Sequence, residues 1–100
     1  MKVRFRREAA AEVREARKWY AERDSELGDR FVAAVDVCVE RVAARPLAFS
    51  GVPRVPSVRR AQLRRFPFSL LFRLLAGDVI EVLAVAHMRR RPGYWRRRAR

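Results

Sequence analysis

Histidine, cysteine and lysine are nearly missing from this sequence, which has one His, one Cys and two Lys in 100 residues. With Cys38 alone, no internal disulfide or thiolate cluster can form. With His87 alone and the acids lying mainly on helical segments, no metal-ligand set stands out. Val35, Val39 and Val42 around Cys38 point to a buried small hydrophobe rather than a reactive thiol. The four glycines spell neither a phosphate loop nor a dinucleotide fingerprint, so no cofactor is expected. No run approaches the ~20 apolar residues of a membrane span, and Met1-Lys2-Val3-Arg4-Phe5 passes straight into charged sequence without an apolar leader. A cytoplasmic protein with no membrane partner is the expectation.

What the chain has instead is arginine. The formal net charge is +13, and all its cations except Lys2 and Lys18 are Arg. Guanidinium forks hold phosphates and carboxylates in a bidentate way, which suits nucleic acid or an acidic protein partner. An arginine-rich solvated face is the plain alternative, and composition alone does not separate the two. Half of the residues are apolar, arranged in periodic clusters, so residues 1–100 are expected to fold as one domain.

Alternation over Lys2 to Arg6 reads as a short strand. From Glu8 to Glu22 the period changes, with Ala9, Val13, Ala16 and Tyr20 at three- and four-residue steps, which is helical. Asp24, Ser25 and Gly28 break this helix before a second stripe, Phe31, Val35, Val39 and Val42, so a helix hairpin is predicted. Three prolines and Gly51 make the stretch from Arg45-Pro46 to Ser57 a connecting loop. Three strand-like runs follow, Val58 to Arg64, Phe68 to Leu75 and Val79 to Ala86, with Ala76-Gly77-Asp78 marking a β-hairpin between the last two.

The order predicts an α+β fold: an N-terminal strand, a two-helix hairpin and a three-stranded antiparallel meander, with the helices packed on one sheet face. Strict alternation puts Phe68, Leu70, Phe72, Leu74, Ile80, Val82, Ala84 and Ala86 against the helices. The far face then mixes Ser69, Leu71, Arg73 and Leu75 with Glu81, Leu83, Val85 and His87. A half-apolar face of that size needs a cover, either the chain's own C-terminal segment or a second protein.

The segment from His87 to Arg100 carries Arg89, Arg90, Arg91, Arg96, Arg97, Arg98 and Arg100 and no acid. Tyr94 and Trp95 lie between the two arginine clusters, an interleaving that lets a surface grip phosphates and stack bases. Packing of both rings onto Leu83 and Val85 is the structural alternative. If the chain is an enzyme, metal-free phosphodiester chemistry remains, with arginines stabilising developing charge and His87 or Tyr94 moving protons. A structural role for His87 is the simpler reading.

Several stretches together resemble the RelE/ParE superfamily of type II toxin–antitoxin systems, which includes plasmid stabilisation proteins. They are Trp19-Tyr20, Leu27-Gly28-Asp29-Arg30-Phe31, Arg45-Pro46, Arg65-Phe66-Pro67-Phe68, and Val82-Leu83-Ala84-Val85-Ala86-His87 running into Arg89-Arg90. The resemblance extends from Val3 to about Arg98. It implies a toxin that arrests growth unless a cognate acidic antitoxin is bound, acting on DNA gyrase in the ParE branch or on mRNA at the ribosome in the RelE branch. For an RNase, the resemblance adds Arg90 and Tyr94 to His87 as catalytic candidates, but Met88 stands where those nucleases carry a key arginine. The ParE branch is slightly favoured. Target-binding candidates are Arg64, Arg65, Arg73, Arg89, Arg90, Arg91, Trp95, Arg96 and Arg97. Antitoxin-binding candidates are Leu71, Leu75, Leu83 and Val85. A non-catalytic RNA-binding module or an inactivated toxin homologue is the alternative.

Overall fold

The computed structural model of the chain describes residues 1–100. Strand β1 (Lys2–Phe5) leads into helices α1 (Arg7–Arg23) and α2 (Ser25–Ala44), then strands β2 (Gly51–Val52), β3 (Val55–Gln62), β4 (Phe68–Leu75) and β5 (Val79–His87). The fold is α+β, as expected. The sheet order is β1-β5-β4-β3-β2, with β1 parallel to β5 and every other pair antiparallel.

The loop expected over 45–57 is more ordered than its prolines implied. It holds a 3₁₀ turn at Pro46–Ala48 and strand β2, and β3 already begins at Val55. Pro53 and Arg54 form the tight turn between β2 and β3, Arg54 taking φ 70°. Proline suits the second position of such a turn, where its missing N–H costs no ladder bond. At its other end β3 stops at Gln62, two residues before the predicted end, and Arg65 turns the chain at φ 69°.

Asp24 caps α2 by accepting the Glu26 backbone N–H at 3.0 Å. Gly28 sets how closely the helices approach: a Cβ there would lie 2.9 Å from the Ala21 Cβ and 3.0 Å from the Arg17 carbonyl oxygen. Phe31, Val35, Cys38 and Val42 form the buried stripe of α2, with Cys38 one position away from the predicted Val39. Burial pushes the Cys38 thiol pKa up, consistent with an unreactive core position. Phe31, Tyr20, Phe66 and Phe68 make an aromatic cluster with ring centroids 5.0–6.3 Å apart.

Strict alternation fails in β5, because a bulge interrupts it. Leu71 pairs with Ala84 while Phe72 pairs with Val82, leaving Leu83 as the extra residue. Beyond the bulge the faces exchange. Val85 joins the helix-side core with Phe68, Leu70, Phe72, Ile80 and Val82. Ala84 and Ala86 move to the far side with Val58, Leu71 and Leu83. Leu74, predicted for the core, is exposed near the end of β4.

The chain's own C-terminal segment covers the far face. Trp95, 4% exposed, is buried in the cluster with Val58, Leu71, Leu83 and Ala84, and Tyr94 and Ala99 pack beside it. A short 3₁₀ turn, Arg96–Ala99, follows. Arg73 pairs with Glu81 at 2.8 Å and donates from Nη1 to the Ala99 carbonyl at 2.6 Å, tying the segment to the sheet.

A second tie comes from α1. Strand β1 ends opposite Val82, so beyond that point β5 has no neighbouring strand on its β1 side. Glu12 supplies the missing acceptor: its Oε1 takes the Val85 N–H at 3.0 Å and Arg98 Nη1 at 2.9 Å, and its Oε2 takes the Tyr94 hydroxyl at 2.6 Å. Arg98 Nη1 also donates to the Leu83 carbonyl at 3.0 Å. Both members of this ion pair are largely shielded, with side chains 12% and 16% exposed. Exposed pairs such as Arg17–Asp29 and Arg30–Glu26 contribute about 0–1 kcal/mol. Removing one partner of a buried pair costs roughly 3–5 kcal/mol, because the other charge is left stranded.

Glu12→Ala is therefore expected to destabilise the protein by about 3 kcal/mol in urea unfolding and to speed tryptic cleavage within residues 89–100. An unchanged midpoint and cleavage rate would contradict the anchoring role. Burial first, and the hydrogen bond to Glu12 second, push the Tyr94 hydroxyl pKa well above its ordinary 10.0, and burial raises Tyr20 in the same direction. A raised folded-state pKa contributes stability that is complete below pH 10 and lost as pH climbs toward the folded value. Unfolding free energy should thus fall as pH rises above about 10, and Tyr94→Phe should flatten that fall without abolishing it, since Tyr20 remains. Equal slopes in the two proteins would contradict the assignment.

Candidate functional site

A cleft of about 430 Å³ opens between the β2–β3 turn, the far face of β3 and β4, and the segment that follows β5. Arg54, Arg60, Arg90, Arg91 and Arg96 line it, and none of its 17 lining residues is acidic. These five guanidiniums make no ion pair and donate no hydrogen bond within the chain. The Arg90 guanidinium carbon sits 4.0 Å from the Tyr94 ring centroid, a contact that fixes its direction and leaves its donors free. Gly93 turns the chain at φ 76° beneath Arg96, and a Cβ there would meet the Arg96 Nε at 2.5 Å.

Three residues named as catalytic candidates, His87, Arg90 and Tyr94, come together in this cleft. Of these, the two that could move protons, His87 and Tyr94, are already hydrogen-bonded within the chain. His87 Nδ1 accepts the Arg89 backbone N–H at 3.0 Å, and its ring stands edge-on to Phe68 at 5.0 Å. In a neutral ring the remaining nitrogen, Nε2, then carries the hydrogen, so no free lone pair is left to accept a proton. The Tyr94 hydroxyl donates to Glu12, and its raised pKa keeps it protonated at neutral pH.

The target-binding candidates separate into groups. Arg90, Arg91 and Arg96 line the cleft. Trp95 lines it too but is buried as a structural wedge, so its ring faces are not free for stacking. Arg73 is committed to Glu81 and Ala99. Arg64 and Arg65 lie in the turn before β4, and Arg89 and Arg97 are exposed without lining the cleft. The antitoxin-binding candidates Leu71 and Leu83 are buried beneath the C-terminal segment, and the bulge turns Val85 into the helix-side core. Only Leu75 keeps partial exposure, so these four do not form an open apolar surface.

Two cleft arginines and the anchor escaped the reading of the sequence. Arg60 shares its strand face with Val58 and Gln62, a pattern legible in the alternation once β3 is recognised as beginning at Val55. Arg54 gave no signal beyond its place next to Pro53. Glu12 lies on the helical face of Ala9 and Ala16, where a carboxylate amid buried positions calls for a partner.

A second groove of about 520 Å³ runs between α1 and the end of β5, with Trp19, Tyr20, Phe68, Val85 and Tyr94 in its walls. No three His, Cys, Asp or Glu side chains converge to hold a metal ion, and no helix is long and apolar enough to cross a membrane.

This arrangement has relatives. A chromosomal ParDE toxin–antitoxin system from P. aeruginosa contains a chain 30% identical to this one, aligned over 87% of this chain and 95% of that one with a TM-score of 0.64. No curated protein matches the sequence significantly. The family model described as the ParE toxin of the type II toxin–antitoxin system, parDE, matches residues 3–92. The chain belongs to the ParE toxin family of type II toxin–antitoxin systems.

Proposed function

We propose that this ParE-family toxin arrests growth in the cytoplasm by inhibiting DNA gyrase, and that a cognate acidic antitoxin neutralises it. What carries the gyrase branch is the state of the two proton-moving groups in the cleft. Ribonucleolytic cleavage needs a base for the attacking 2′-hydroxyl and an acid for the leaving oxygen. The His87 lone pair is capped by the Arg89 N–H, and the Tyr94 proton is held by Glu12. Met88, where ribosome-dependent nucleases carry a further arginine, supplies neither charge nor proton. What the cleft offers is unpaired positive charge, which serves to bind and hold a target rather than to cut it.

The same charge favours an acidic antitoxin. A net +13 draws in an anionic partner rapidly, and a disordered acidic tail gains order as it neutralises the arginines. Such a tail could reach Leu71 and Leu83 only by displacing the segment that Trp95 and Glu12 hold in place.

The test is induced expression of the chain with and without its antitoxin, following growth, plasmid supercoiling and integrity of ribosome-bound mRNA together. The expected result is arrest by the chain alone, with relaxed or cleaved DNA and intact mRNA, and rescue by the antitoxin. Codon-phased mRNA cuts would overturn the gyrase branch, and harmless expression would favour an inactivated homologue or a binding module. Tyr94→Phe should remain toxic; mRNA cuts made by the native chain and lost in a folded Tyr94→Phe protein would identify Tyr94 as a catalytic acid.

A further inference from the structure

The basic side chains that tie the C-terminal segment and the strands together have partners. Arg98 is spent on Glu12 and Leu83, Arg73 on Glu81 and Ala99, Arg59 on the Phe49 carbonyl, and Arg41 lies over the Phe49 ring. The five cleft arginines have none, yet they are drawn from the β2–β3 turn, β3, the link after β5 and the last 3₁₀ turn to surround one concavity. Gathering five like charges without a counter-charge costs self-repulsion, which an anionic ligand spanning the cleft would relieve.

We propose that this cleft is a sequence-independent binding site for the phosphate backbone of duplex DNA. The proposal rests on the gyrase reading and deepens it: the toxin would engage DNA held on gyrase as well as the enzyme itself. Three features select this ligand. Guanidiniums without competing carboxylates match phosphodiester oxygens. No free tyrosine or tryptophan ring lines the cleft, because Trp95 is buried and Arg90 and Arg98 lie against Tyr94 at 4.0 and 5.2 Å, so the aromatic stacking platform that single strands exploit is reduced to the His87 ring, itself edge-on to Phe68. Duplex DNA also presents a dense phosphate charge, one per roughly 1.7 Å of axis, far denser than a single strand, where charge is what the site reads.

The measurement is fluorescence anisotropy of two labelled duplexes of unrelated sequence, titrated with the full chain across a salt series. Five neutralised phosphates predict a log–log salt slope near −4.5 and an affinity loss of about 500-fold between about 50 and about 200 mM salt, equal for both sequences. The double variant Arg60→Glu, Arg91→Glu should bind at least about 50-fold more weakly and lower the slope by about 2. The variant Arg14→Glu, Lys18→Glu reverses two exposed charges on α1 that line neither cavity, and it should lose far less. Equal losses in the two variants would mean diffuse charge and overturn the site. Equal or tighter binding of single-stranded DNA or of an RNA hairpin would overturn the choice of duplex DNA.

A gyrase supercoiling assay run beside the titration separates the two claims. Gyrase inhibition without DNA binding overturns this inference and leaves the proposed function standing. DNA binding without gyrase inhibition overturns the proposed function and leaves the cleft as a DNA site.

Discussion

Strand β5 is central to the sheet over its first half and bare along one edge over its second, because β1 ends opposite Val82. Backbone groups in that position must find partners or the strand frays. Glu12 takes the Val85 N–H and Arg98 donates to the Leu83 carbonyl, so a helix carboxylate and a C-terminal guanidinium together complete the edge. Each group also neutralises the other, and Tyr94 closes the arrangement through its hydroxyl. The C-terminal segment is thereby fixed to the strand it covers, and Trp95 shields the far face from water.

That anchoring determines what the remaining arginines can do. Arg98 and Arg73 lock the segment down, so Arg90, Arg91 and Arg96 are held against the sheet rather than left on a free tail. Arg54 and Arg60 complete the cleft from the β2–β3 turn and from β3. The buried guanidiniums of Arg73 and Arg98 have carboxylate and carbonyl acceptors and hold the fold, whereas the five that line the cleft have none. Helix packing is a largely independent matter: Phe31, Phe68 and Phe72 set the contact with the sheet, and Gly28 sets the close approach of the two helices.

Element order and fold class were legible because the sequence's periods are clean: Ala9, Val13, Ala16 and Tyr20 mark one helix, and Phe68 to Leu75 alternates as a strand should. The bulge at Leu83 was not legible, since an extra residue in one strand is defined by its pairing with the neighbour. That single residue reversed the faces assigned to Ala84, Val85 and Ala86. The cover over the far face was one of two open possibilities, and the choice depended on Glu12 reaching Tyr94 and Arg98, contacts 82 and 86 residues apart in sequence. Among the arginines, the segment after β5 announced itself by density. Arg54 and Arg60 became functional candidates only when the fold brought them to the same cleft.

The central claim is that the five free arginines form a target-binding cleft held in place by the Glu12 anchor. The most direct measurement compares inhibition of purified gyrase's supercoiling reaction by the native chain and by the Arg60→Glu, Arg91→Glu variant, after showing that both unfold at the same urea concentration. The account predicts inhibition by the native chain and its loss in the variant. Undiminished inhibition by an equally stable variant would contradict it.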